Sequence, residues 1–92
     1  KIPLEDIAYG KGLEFDELLS EIESIVSSGT HLDINYYIED NVDIYHQEDI
    51  LEYFREAESD DVQTALNELG EDEYDEYEVR LMRIKFLSDV GN

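Results

Sequence analysis

The sequence has no cysteine, a single proline at Pro3, and only six basic residues against 26 acidic ones. Without cysteine there are no disulfides and no thiolate metal sites, as suits a reducing cytosol. No apolar run approaches the roughly 18–20 residues of a membrane span, so no membrane partner is expected. No signal-peptide pattern is visible. A phosphate loop ending in G-K-[ST] is absent as well. Gly10-Lys11-Gly12 is glycine-rich, but it falls in a turn between helices rather than after a strand.

Catalytic signatures are equally scarce. Acid/base work needs a carboxylate pair whose pocket shifts the pKa values, and nothing singles out one pair among so many acids. No nucleophile–base pattern occurs. His31 and His46 lie far apart without cysteine partners, which reads as two surface or half-buried histidines rather than metal ligands. The acidic run 71–78 lacks the central glycine and the alternating ligand spacing of an EF-hand. The chain is therefore expected to be no enzyme and to hold no cofactor or metal of its own. It begins at Lys1, and is read as an excised piece of a longer protein.

What is present is charge and helical periodicity. The 92 residues suit one domain, 1–92, and the 41% apolar content can build a core. The formal net charge is −20. Such a surface disfavours nucleic acid and acidic membranes and favours basic partners. Solubility alone is the simpler explanation of the same acidity. The charge is uneven: residues 79–92 carry +2, leaving −22 on residues 1–78, and 71–78 hold six acids in eight positions.

The apolar spacing predicts an all-α fold, a small bundle of about six short helices. Pro3 suits a first helical turn, Leu4, Ile7 and Ala8 share one face, and Gly10 and Gly12 are expected to break that helix. Phe15, Leu18, Leu19, Ile22, Ile25 and Val26 form a second stripe, stopped by Gly29. Asp33 is expected to cap a short helix carrying Ile34, Tyr37, Ile38 and Val42, with an extended 31–38 as the alternative. Asp43 can start a fourth helix with Ile50, Leu51, Tyr53 and Phe54. Ser59 is expected to cap a fifth with Val62, Ala65, Leu66 and Leu69, closed by Gly70. Asp75 and Glu78 resemble a capping box for the last helix. That helix, from Val79 to Val90, is apolar over so wide an arc that it should be central, and Gly91 is expected to end it.

The first two helices and their glycine turn, about 1–30, read as a helix-turn-helix. A DNA-reading version presents polar and basic side chains near the start of its second helix. Here those positions are Glu14, Asp16 and Glu17, followed by Glu21, which should repel phosphates. Glu14, Glu17 and Glu21 are thus candidates for an acidic face that meets a basic protein partner. Lys11, Arg80, Arg83 and Lys85 are the candidate contacts to DNA or to another acidic partner, although Arg80 can simply pair with Glu76 four residues earlier.

The order Ile2-Pro3-Leu4-Glu5-Asp6-Ile7-Ala8, Lys11-Gly12-Leu13, Glu17-Leu18-Leu19, Glu21-Ile22-Glu23, Ile25-Val26 and Ser28-Gly29-Thr30 resembles the C-terminal helix-turn-helix domain of RecQ-type helicases, of the Bacteroides type. So do Asp33-Ile34, Tyr36-Tyr37 and the ending from Glu78 to Ser88. The resemblance spans nearly the whole chain. It implies a parent ATP-dependent 3'-5' DNA helicase acting in repair and recombination, in the bacterial cytoplasm and nucleoid-associated. The parent's ATP, magnesium and zinc sites would lie upstream, so none of their residues is carried onto this sequence. The resemblance makes the chain a non-catalytic accessory domain. The charge then selects a protein-contact or regulatory role, toward a basic surface or the parent helicase core. Direct DNA binding is the alternative, and occupation of the helicase's DNA channel by the acids is a third reading.

Overall fold

A computed structural model describes residues 1–90, so the expected stop at Gly91 lies outside the described residues. Within them the chain forms α1 (Leu4–Lys11), α2 (Phe15–Ser27), α3 (Asn35–Asn41), α4 (Ile44–Glu56), α5 (Val62–Leu69) and α6 (Glu76–Val90). The six-helix, all-α expectation holds. The extended alternative for 31–38 does not occur: Tyr37 and Ile38 point inward from a helical turn.

The helix ends follow local hydrogen-bond chemistry. Pro3 precedes α1 and its carbonyl accepts from Asp6 and Ile7. Gly10 does not break α1, because its backbone stays in the negative-φ region and the helix runs through it. Gly12 does the terminating: at φ 71° it takes the left-handed conformation that closes a helix, and Leu13 N–H reaches back to the Ala8 carbonyl at 2.9 Å. Asp43 caps α4 by accepting from the Tyr45 and His46 amides.

Two expected caps move. Ile34, rather than Asp33, is the residue before α3; the Asp33 carboxylate instead makes a local turn onto the Asn35 amide. At α5 the cap is Asp61, whose carboxylate takes both the Thr64 N–H and the Thr64 hydroxyl at 2.9 Å. The Ser59 hydroxyl accepts only from Asp61 N–H, one step earlier in the chain. A carboxylate accepts a helix-terminal N–H more strongly than a neutral hydroxyl does, so the competition goes to aspartate. Those bonds also hold the Asp61 carboxyl below its ordinary pKa, the Thr64 backbone bond first.

Helix α6 is the centre. It packs against α2, α3, α4 and α5, while α1 packs on α2 and α4 on α5. Val79, Met82 and Ile84 are fully enclosed, and Leu81 nearly so. They meet Leu18, Leu19, Ile22 and Val26 of α2, Ile38, Ile50, Phe54, Ala65 and Leu66 in one core. Phe86 stacks on Phe54 at 5.8 Å between ring centroids. A helix enclosed on most sides needs apolar residues on most sides, which is why its sequence shows no clean stripe.

Near its end α6 also carries a buried polar anchor. The Ser88 hydroxyl accepts from Leu32 N–H at 2.8 Å and donates to the Leu32 carbonyl at 2.9 Å. This satisfies the loop before α3 from inside the core, where unpaired peptide groups are costly.

Candidate functional site

Four cations were candidates for contacts, and the fold treats them differently. Arg80 is turned inward and is 8% exposed. Its Nε and Nη2 donate to both oxygens of Glu23, at 3.3 and 3.0 Å, in a bidentate fork. Nη1 donates to Asp16 Oδ1 at 3.2 Å, and Nη2 reaches the Ser20 hydroxyl and the Asp16 carbonyl. Glu76 stands 3.7 Å away, the local pair visible from the i,i+4 spacing. Glu23 is the main reason the Arg80 proton is held more tightly than usual. Arg80 is thus the tie between α6 and α2.

Arg83 is half-buried and clasps Asp60 through its carbonyl at 2.7 Å and its carboxylate at 3.3 Å. Lys85 donates to Asn35 Oδ1 at 2.8 Å and lies 3.8 Å from Asp89. Lys11 is exposed in the last turn of α1, with no ion pair among the described residues. The structure therefore does not assemble the four into one patch: three face carboxylates or carbonyls of their own chain, and Lys11 stands apart.

Three acids at the start and along α2 face outward. Glu14, Glu17 and Glu21 are all exposed. Glu17 has a structural task, because its carboxylate accepts the Glu14 N–H at 2.7 Å, one of the free donors of the helix start. Asp16 and Glu23 from the same helix are partly neutralised by Arg80. The start of α2 consequently presents carboxylates, and the nearest arginine turns away from the outside.

A second charged cluster escaped the sequence reading. His46 Nδ1 lies 2.8 Å from Glu78 Oε2, and Nε2 lies 3.6 Å from Glu73. Its ring lies tilted at 38° against that of Tyr74, 4.3 Å between centroids, and the Tyr74 hydroxyl donates to Asp49 Oδ2 at 2.6 Å. Glu78 is at the same time half of the α6 capping box, with Asp75 N–H on its Oε1 at 3.1 Å and Asp75 Oδ1 on the Glu78 N–H at 2.9 Å. One carboxylate thus ties the α6 start to α4. No local spacing signals a contact between residues 46 and 78.

The bond to Glu78, aided by the Asp43 and Glu73 charges, raises the His46 pKa above its ordinary 6.5 against an opposing desolvation. A raised folded-state pKa means stabilisation that is fully present below the unfolded value and lost as pH rises through the folded one. His46→Gln is therefore expected to lower Tm more at about pH 6 than at about pH 9. Paired thermal melts across that range test this, and an equal difference at both ends would remove His46 as a titrating clasp. The same acidic surroundings, led by the Asp49 hydrogen bond, push Tyr74 up to about 12.

Among the described residues no group of three or more histidine and acidic side chains is arranged to hold a metal ion. Among them too, no helix is long and apolar enough to cross a membrane.

Comparison with known families gives one finding that bears on this arrangement. Residues 1–38 match the family described as RecQ-1-like, helix-turn-helix domain. The matched segment takes in α1, the Gly12 turn, α2 and the first turn of α3. The resemblance to a RecQ-type C-terminal helix-turn-helix is met over those residues. No curated protein matches the chain.

Proposed function

We propose that this chain, whose residues 1–38 carry a RecQ-1-like helix-turn-helix, is a non-catalytic C-terminal accessory module of a RecQ-type ATP-dependent DNA helicase, and that it works by contacting a basic protein surface. The parent's work in DNA repair and recombination, and its ATP, magnesium and zinc, belong to this same reading.

The observation that carries the protein-contact role is the placement of charge on the helix-turn-helix itself. A DNA-reading helix needs donors and cations at its N-terminal turn, where the phosphates and base edges approach. Here α2 opens with exposed Glu14, Asp16 and Glu17, and Glu21 follows one turn on. Arg80, which could have offset them at a DNA surface, is folded inward onto Asp16 and Glu23. Duplex DNA would meet repulsion there, whereas a lysine- or arginine-rich protein surface would meet attraction.

Isothermal titration of the chain against the parent's upstream helicase core tests the reading. Binding at low ionic strength that weakens severalfold as salt shortens the screening length is the expected result. Absence of any interaction at low salt would contradict it.

A further inference from the structure

A second acidic region of the surface lies away from the helix-turn-helix. A cleft of about 660 Å³ runs between α4 and α5. Along α4, Asp49, Glu52, Tyr53 and Glu56 line it, at i, i+3, i+4 and i+7, so they form one stripe on one helix face. Glu58 and Ser59 close it from the connecting loop, and Thr64, Glu68 and Leu69 from α5. Tyr74 sits at its edge. Among the described residues, five carboxylates and no cation line this space.

Two features separate the cleft from ordinary surface acidity. The first is that two of its carboxylates stand where a folded chain would place cations. Glu56 ends α4 and Glu68 is in the last turn of α5, so both sit at the negative ends of helix dipoles. Asp49, Glu52 and Glu56 also repel each other at three- and four-residue spacing. Among the described residues only Asp49 of the five has a hydrogen-bond partner, the Tyr74 hydroxyl. On α2, by contrast, Arg80 neutralises Asp16 and Glu23, and Glu17 binds a backbone amide.

The second feature is the wall. Tyr53 is half-buried between the acids, with its hydroxyl unpartnered among the described residues, and the apolar Ala57 and Leu69 flank it. Burial, then the Glu68 and Asp61 charges, raise the Tyr53 pKa, so the phenol stays neutral. A neutral aromatic ring beside carboxylates suits a lysine or arginine side chain, whose alkyl stem takes the apolar wall and whose head takes the charge.

We infer that the α4–α5 cleft is the docking site for a lysine- or arginine-bearing polypeptide segment, and so the place where this module meets its basic partner. The inference rests on the basic-partner reading above and makes this cleft the principal contact, with the α2 acids a weaker second one. Charge complementarity selects the occupant: a second copy of this chain would bring more carboxylates, and an apolar peptide would leave five of them uncompensated.

The test is a low-salt titration of the ¹⁵N-labelled chain with a short Lys/Arg-rich peptide, using its fully acetylated-lysine, citrulline-substituted counterpart as the neutral control. The expected shifts map to Tyr53, Glu56, Glu68 and Tyr74. The triple variant E52Q/E56Q/E68Q should weaken binding about tenfold, and E14Q/E17Q/E21Q, which removes the same charge from the other acidic face, less than about threefold. These exposed substitutions leave the core untouched, and the wild-type shift map is independent of them. Equal losses in the two triples, or a larger loss from the α2 triple, would overturn the cleft while leaving a basic partner intact. No binding by the wild type would overturn the cleft and the protein-contact reading together.

Discussion

Arg80→Met is expected to destabilise the fold by about 3 kcal/mol, a fall in Tm on the order of 15 °C for a domain of this size. Surface ion pairs are worth little, because solvent screens them and side-chain entropy opposes them. Arg80 differs in burial and in valence. Its guanidinium side chain is 10% exposed and that of Glu23 18%. The pair is bidentate, and Asp16, Ser20 and Glu76 fill the remaining donors. Removing the cation leaves Glu23 poorly solvated beside two other carboxylates, in a molecule of net charge −20. The penalty is mainly that of the abandoned carboxylate, not the loss of the pair as such. Arg80→Met/Glu23→Met should therefore recover part of the loss, and a double-mutant cycle measures the coupling. Arg80→Lys should fall between, since an ammonium cannot reproduce the fork. A single variant Arg80→Met melting within about 3 °C of the wild type would show that the tie is not structural.

Ile84→Ala is expected to cost about 3–4 kcal/mol, with denaturant melts showing a lower midpoint and an unchanged slope. Ile84 is fully enclosed on the helix that α2, α3, α4 and α5 all pack against. A cavity there has neighbours on all sides that are already committed to each other, so collapse around the lost atoms is limited. A domain of this length has roughly 5–14 kcal/mol in total, so either substitution removes a large share of it. Val90→Ala on the same helix is the control: Val90 is 62% exposed, and the change should stay within about 0.5 kcal/mol. Equal losses from the two would mean that α6 is not the centre of the core.

The elements of the fold were readable where the physics is local. The α2 stripe, the Asp43 cap, the Asp75–Glu78 box and the left-handed glycine after α1 depend on residues within one or two turns of each other. The departures are local competitions of similar strength. Asp61 takes a cap that Ser59 could have made, and Gly10 stays helical because Gly12 provides the turn two residues later. The charged clusters were much less readable. Glu76 as a partner of Arg80 follows from i,i+4 spacing, but Asp16 and Glu23 lie more than fifty residues away and come into reach only when α6 docks on α2. His46 and Glu78 meet only through the packing of α4 on α6. The cleft was hidden for a related reason. Its α4 stripe is visible as a spacing, but an acidic helix face normally means solvent, and only the position of α5 turns it into one wall of a groove.

The protein-contact account stands on the claim that the helix-turn-helix does not read DNA. An NMR titration of the labelled chain with duplex DNA at low salt addresses this most directly. The account predicts unmoved resonances along α2, at Lys11, and at Arg80, Arg83 and Lys85, even at the lowest ionic strength. Saturable shifts at those positions that vanish with added salt would contradict it.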